Sequence, residues 1–282
     1  MKLLWKLVRG VFRSDWSKRM ARWAFMRSIL PMVDQGPDIS RLRVLVLGVY
    51  LADRPNTAAH LVREFAAGHR LDVEQRWAAM GSATDDPVVQ RVTVLTVQQP
   101  TPKFALINSL IAGLDVDRFD YVLVVDDDIH VQPGFLSAFL LRQRAFGFAL
   151  AQPARAWHSY FDHSFALRRP WLAARQTRFV ECGPLVSFSR DAARLLIPFH
   201  AESEMWGMDL VWPVALERAG LTLGIVDEIA VDHSVRGQAT SYDRSTELAA
   251  MSDFLARTPH IASEDVFKVV KRFRPSDRTR YL

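Results

Sequence analysis

The chain alternates short apolar runs with stretches of helical periodicity. Arg43-Val44-Leu45-Val46-Leu47-Gly48-Val49-Tyr50 is almost continuously aliphatic, the pattern of a strand covered on both faces in a parallel sheet. Arg54-Pro55-Asn56-Thr57 breaks the run and offers a cap, after which residues 58–67 repeat apolar positions at helical spacing. Further strands are predicted over 71–77, 91–97, 121–125, 148–152, 179–180, 185–188 and 221–226, and helices over 103–114, 135–144, 191–196 and 208–219. Strands alternating with helices predict an α/β fold with a mixed, mostly parallel sheet flanked by helices. No repeat or low-complexity linker interrupts residues 39–240, which read as one continuous domain between helical N-terminal (1–38) and C-terminal (241–282) extensions.

In the first extension Trp5, Val8, Phe12, Trp16, Met20 and Trp23 recur every three or four residues, along one helical face, with Lys2, Lys6, Arg9 and Arg13 beside them. Such a helix lies in a membrane interface with its cations at headgroup level, or packs on the body or a second subunit. Charge sharpens the first alternative. Residues 1–30 carry eight lysines and arginines against Asp15 alone, a net +7, so the rest of the chain sums to −2 within the total of +5. The expected partners are therefore an anionic membrane surface through residues 1–27 rather than nucleic acid, with an oligomer left open. No apolar run is long enough to span a bilayer, which predicts a cytoplasmic protein peripheral at the membrane. At 282 residues, 49% apolar and 24% charged, the chain can bury a sizeable core. Its one cysteine, Cys182, excludes an intramolecular disulfide framework and reads as a small buried hydrophobe.

Candidate chemistry concentrates where strands end. Tyr121-Val122-Leu123-Val124-Val125 runs straight into Asp126-Asp127-Asp128. Adjacent carboxylates at the mouth of a core repel unless a cation neutralises them, and ligands of open α/β sheets gather at the carboxyl ends of strands. The triplet is either a hard-cation site, for magnesium or manganese (Mn2+ or Mg2+) shared with substrate phosphates, or a solvated turn. Trp206-Gly207-Met208-Asp209 puts a carboxylate in the first turn of an apolar helix, either an N-terminal cap or an acid held ionised, with Glu202 and Glu204 just upstream. The run 221–226 leads to Asp227, Glu228, Asp232 and His233; the imidazole is a hydrogen-bonding group or a metal ligand.

The ordered set of Asp126-Asp127-Asp128, Trp206-Gly207-Met208-Asp209 and Val231-Asp232-His233 resembles the GT-A-type nucleotide-sugar-dependent glycosyltransferases. With Phe119-Asp120-Tyr121, Arg178-Phe179-Val180-Glu181 and Gly224-Ile225-Val226-Asp227 it is similar to an uncharacterised plant and bacterial glycosyltransferase family, catalogued as a domain of unknown function, over residues 43–235. That resemblance implies a GT-A-like fold, a nucleotide-diphosphate-sugar donor and transfer of the sugar to a hydroxyl acceptor, a glycan or lipid-linked molecule. It implies that Asp126, Asp128 and His233 hold the metal, and that Asp126 and Asp127, with Tyr50, Asp53, Lys103 and Asn108, hold the donor. Asp209 would be the catalytic base, with Glu181 as the second candidate, while Trp157, His158, His163 and Trp206 would line the acceptor side. A nucleotidyltransferase and a non-catalytic binding protein are the rival classes.

Overall fold

The run at 43–51 forms β1 (Arg43–Leu51), buried over seven consecutive positions as a doubly covered strand should be. The structure, a computed structural model, describes residues 15–28, 30, 39–68, 71–82, 84–200, 206–236 and 244–275. β1 pairs in parallel with β2 (Asp72–Met80) on one side and β4 (Tyr121–Asp126) on the other, and β2 pairs in parallel with β3 (Thr93–Val97). Beyond β4 comes β7 (Leu185–Ser189), antiparallel both to β4 and to β5 (Leu150–Arg155). β8 (Leu223–Val231) is parallel to β5, and β6 (Ala174–Thr177) and β9 (Val269–Phe273) close the far edge antiparallel. The nine-stranded sheet thus has the order β3-β2-β1-β4-β7-β5-β8-β6-β9.

The sheet is mixed, with four parallel and four antiparallel interfaces, and so is not mostly parallel as expected. The reason lies in β7. The β4-to-β5 connection sets β5 in the same direction as β4 but not beside it, and β7 fills the gap running the other way. A short run buried on both faces looks the same in either direction, so its pattern carries no orientation.

Helices cover both faces. α4 (Lys103–Ile111), α6 (Arg190–Leu196) and α7 (Met208–Arg218) bury Phe104, Ile107, Leu196 and Trp212 in one apolar cluster. There the Phe104 and Phe199 rings stand 4.6 Å apart and Phe188 meets Trp212 edge-on at 5.3 Å. On the other face α2 (Ala58–Ala66) and α5 (Phe135–Ala145) bury Leu61, Phe65, Phe135 and Phe139 against Trp77 and the outer sides of β1 and β4. α3 (Pro87–Gln90) is a single turn capped by the Asp86 carboxylate.

Two expectations change, and one alternative left open for the N-terminal helix is observed. The segment 179–180 is not a strand; the strand lies just before it, as β6, where Arg175 interrupts any apolar pattern. Arg175 is fully buried and its Nε meets Asp227 Oδ2 at 3.1 Å, so an ion pair replaces the apolar residue the pattern would require. The C-terminal extension is not only helical: after α8 (Arg244–Arg257) it returns as β9 and joins the sheet through β6. The N-terminal helix, α1 (Asp15–Arg27), packs on the body. Arg22 Nε donates to Asp232 Oδ2 at 3.0 Å and its Nη2 to the Ser234 carbonyl at 2.7 Å, while Gln132 Nε2 donates to the Phe25 and Ser28 carbonyls at 3.3 and 3.1 Å. The Phe25 ring meets His158 edge-on. Met20 and Trp23 face outward, with the Arg27 guanidinium 4.5 Å above the Trp23 ring. Trp5, Val8, Phe12 and the cations Lys2, Lys6, Arg9 and Arg13 lie outside the described residues, as do Glu202, Glu204 and the side chain of Trp16. Among the described residues no helix is long and apolar enough to cross a membrane.

Candidate functional site

Topology alone gathers the candidate residues. β1, β4, β5 and β8 all run in one direction, so their carboxyl ends share one edge of the sheet, and β7 begins at that edge because it runs the other way. Asp126 closes β4 opposite Val49 of β1, and Arg155 closes β5 opposite Val231 of β8. Past the strands, His130 and Asp232 form an antiparallel bridge, exchanging backbone bonds of 2.8 and 3.0 Å. That bridge carries the chain after the acidic triplet alongside the chain after β8. It sets His233 Nε2 at 3.2 Å from Asp128 Oδ1.

Each acid of the triplet meets a cationic side chain, and Asp127 and Asp128 share one. Asp126 Oδ1 lies 2.5 Å from Lys103 Nζ, which also donates to the Cys182 carbonyl at 3.2 Å. Asp127 is buried; it accepts the Leu51 N–H at 2.7 Å and pairs with Arg236 Nη2. The same nitrogen stands 3.2 Å from Asp128 Oδ2, and Arg236 Nη1 donates to the Pro55 carbonyl at 2.9 Å. Burial and then the Asp128 charge lift the Asp127 carboxyl to about 6, against the pull of Arg236. At Asp128 burial acts in the same direction, but His233, Arg236 and Arg155 outweigh it and hold the carboxyl below its ordinary value.

A short segment, Glu181-Cys182-Gly183, joins this cluster to Asp209. Glu181 is buried in an ion pair with Arg155, at 3.0 Å to Nε and 2.8 Å to Nη2, and Arg155 also donates to the Gly183 carbonyl at 2.6 Å. A Cβ at Gly183 would sit 2.5 Å from Asp126 Oδ2 and 3.1 Å from Lys103 Nζ, so the segment approaches the pair as closely as only a glycine permits. On its other side Cys182 accepts the Asp209 backbone N–H. Burial, then the Asp209 charge and to a lesser degree that of Glu181, push the thiol up, away from reactivity. Asp209 opens α7 after Gly207, whose φ of 96° is the left-handed turn that starts the helix. Burial and then the Glu181 charge lift the Asp209 carboxyl to about 7, partly offset by the backbone N–H groups of the helix start.

Other candidates lie elsewhere or have their polar groups occupied. Tyr50 is buried in the core against Trp77, its hydroxyl 3.0 Å from Thr93 Oγ1. The side-chain amide of Asn108 is closed on the backbone of Phe199, at 2.8 and 2.9 Å. Asp53 accepts the Ser82 N–H in the loop after β2. His158 Nε2 stands 3.3 Å from Asp232 Oδ1 beneath α1, and His163 packs between Phe179 and Phe267. Trp157 and Trp206 are half-buried. Glu228 is buried in an ion pair with Arg142. Sequence reasoning missed Arg155 and Arg236, the cations that answer the acids. Their signals were present: an arginine ending a buried strand, and another three residues past His233.

The metal set expected from the sequence is assembled only in part, with Asp128 and His233 meeting at 3.2 Å. Asp126 turns to Lys103, while Asp128 meets His233 and Arg236. Among the described residues no group of three or more histidines, cysteines or carboxylates is disposed to hold a metal ion. The residues as placed do not fit that group.

No known protein-family profile matches the chain, and no curated protein is similar to it in sequence. Among solved structures, residues 1–349 of S. aureus TarS in complex with UDP-GlcNAc superpose with a TM-score of 0.46 and 10% identity, over 71% of this chain and 60% of that one. The chain thus spans about three fifths of that structure's length. A mycobacterial protein superposes with a TM-score of 0.50 and 17% identity, over 79% of this chain and 76% of that one. What this second likeness carries is the fold: an α/β architecture in which a mixed sheet is covered by helices on both faces.

Proposed function

We propose that the chain is a nucleotide-sugar-dependent glycosyltransferase whose donor diphosphate lies at the sheet edge beside Asp126–Asp128 and Arg236. The observation that carries this reading is the convergence of Asp128, His233 and Arg236 on one side of the Glu181–Gly183 segment and Asp209 on the other. The motifs of the family that the sequence resembles, separate along the chain, meet in one place with a cationic group beside them. In the reaction the acceptor oxygen attacks the anomeric carbon and the bond to the diphosphate breaks, the electron pair leaving on the nucleoside diphosphate. Asp209 takes the acceptor's proton; a carboxyl held near neutral pH is matched to that task. Glu181 is the weaker candidate for base, because both Arg155 contacts fix its carboxylate. Asn108, closed on the Phe199 backbone, and the core hydroxyl of Tyr50 take no part in the donor site.

The acceptor is a hydroxyl compound, and the outward Met20 and Trp23 with Arg27 support one presented at an anionic membrane surface. The test is a panel of nucleotide sugars incubated with the full chain, reading release of nucleoside diphosphate and of nucleoside monophosphate separately. Release of a diphosphate that depends on Asp209 supports the proposal. Turnover of nucleoside triphosphates with pyrophosphate release, and none of any nucleotide sugar, would make the chain a nucleotidyltransferase.

A further inference from the structure

Four cationic or imidazole groups crowd the acidic triplet, and their arrangement bears on how a diphosphate would be held. Arg236 is fixed from two sides: its Nη1 holds the Pro55 carbonyl in the loop after β1, and its Nη2 reaches both Asp127 and Asp128. A guanidinium has five N–H groups. Those three contacts engage Nη1 and Nη2. Arg155 is buried, spends Nε and Nη2 on Glu181 and Gly183, and keeps Nη1 buried with no hydrogen-bond partner. His233 Nδ1 is likewise buried and without one. Buried polar nitrogens of this kind are costly unless a ligand satisfies them, and these two belong to side chains that flank Asp128.

A divalent ion at the same place meets an obstacle. The open oxygen of Asp128 is Oδ1, on the His233 side. An ion there would lie across the carboxylate from Arg236, which stands 3.2 Å from Oδ2, cannot lose its proton and would repel it. Asp126 is closed by Lys103, itself nearly buried, and Asp127 by Arg236 and the Leu51 N–H.

We infer that this site binds the donor diphosphate without a divalent metal, with Arg236 and the free Nη1 of Arg155 supplying the countercharge. The inference rests on the nucleotide-sugar reading above and goes beyond it by naming what replaces the cation. The acids then hold the arginines in place: Asp127 and Asp128 orient the Arg236 fork toward the phosphate oxygens, and Glu181 does the same for Arg155. A guanidinium fork matches two phosphate oxygens at once. As the anomeric carbon–oxygen bond breaks, charge gathers on the leaving diphosphate and is met by donors already in position.

The test uses the full chain stripped of metal and titrated calorimetrically with UDP, GDP, ADP and CDP, in EDTA and then with Mn2+ or Mg2+. The tightest binder should keep its affinity in EDTA to within about threefold. Arg236→Ala should cost it on the order of a hundredfold, and Arg236→Lys, which keeps the charge but not the fork, on the order of tenfold. Unchanged circular dichroism guards against misfolding, and the lysine variant keeps Asp127 and Asp128 neutralised. Binding that disappears in EDTA and returns with Mn2+ overturns this inference and leaves the nucleotide-sugar reading standing. Binding that is indifferent to both Arg236 variants overturns it as well. If no diphosphate binds the wild-type chain with or without metal, both readings fall.

Discussion

At the scale of single residues, Asp209 has the most to answer for. Its carboxyl sits at about 7 because burial and the Glu181 charge both disfavour ionisation. Transfer should therefore rise with pH through about 7. Asp209→Asn keeps the shape and removes the base; kcat/KM should fall by about 10²–10⁴-fold and the ascending limb should vanish. The same shift acts on stability. A carboxyl whose folded value is raised keeps its proton where the unfolded chain has lost it, so stability declines as pH rises from the ordinary carboxylate value to about 7. Urea midpoints of the wild type relative to Asp209→Asn should fall across that window and level off above it. Gly183 gives a second prediction. A methyl group there would meet Asp126 Oδ2 at 2.5 Å, and overpacking of this kind costs about 1–3 kcal/mol. Gly183→Ala should push Asp126 and Lys103 apart and weaken nucleoside diphosphate binding by roughly tenfold, read by calorimetry.

At the scale of elements, the strand-end acids were legible and the cations that answer them were not. β4, α7 and β8 announced themselves because each is an apolar run with a polar end, and Asp126, Asp128, Asp209 and His233 were picked out at those ends. Arg155 and Arg236 escaped because a cation has meaning only beside its partner, and both partners come from connecting segments distant along the chain. β6 was hidden by Arg175, whose ion pair with Asp227 replaces apolar burial, and β9 by an edge position that leaves Val270 exposed. The direction of β7 had no trace in a run buried on both faces. Docking of α1 was one of two alternatives its apolar stripe allowed, but its anchor, Arg22, looked like one more cation on a basic helix. Arg22→Ala leaves the fully buried Asp232 short of a partner and should cost about 1–3 kcal/mol in urea unfolding.

At the scale of the whole molecule, two properties of α1 separate cleanly. Its inner side, through Arg22 and Phe25, is spent on the body, and its outer side presents Met20 and Trp23. Trp23→Ala should weaken binding to anionic vesicles in a sedimentation assay and leave the unfolding midpoint unchanged, whereas Arg22→Ala should move the midpoint. High salt should loosen the vesicle contact of the wild type without abolishing it, because the indole contribution does not depend on charge. The five residues 232–236 join these two sides of the protein. Asp232 reaches outward to Arg22, and its immediate neighbour His233 reaches inward to Asp128, with Arg236 beside it. One short stretch of chain is therefore pulled on by both the surface-facing helix and the donor pocket. Thermodynamic linkage makes such a tie reciprocal. Whatever factor a bound nucleotide adds to the grip on α1, a membrane that steadies α1 must return to the nucleotide, and slower proteolysis of the helix in the presence of nucleotide would measure that factor without a membrane at all.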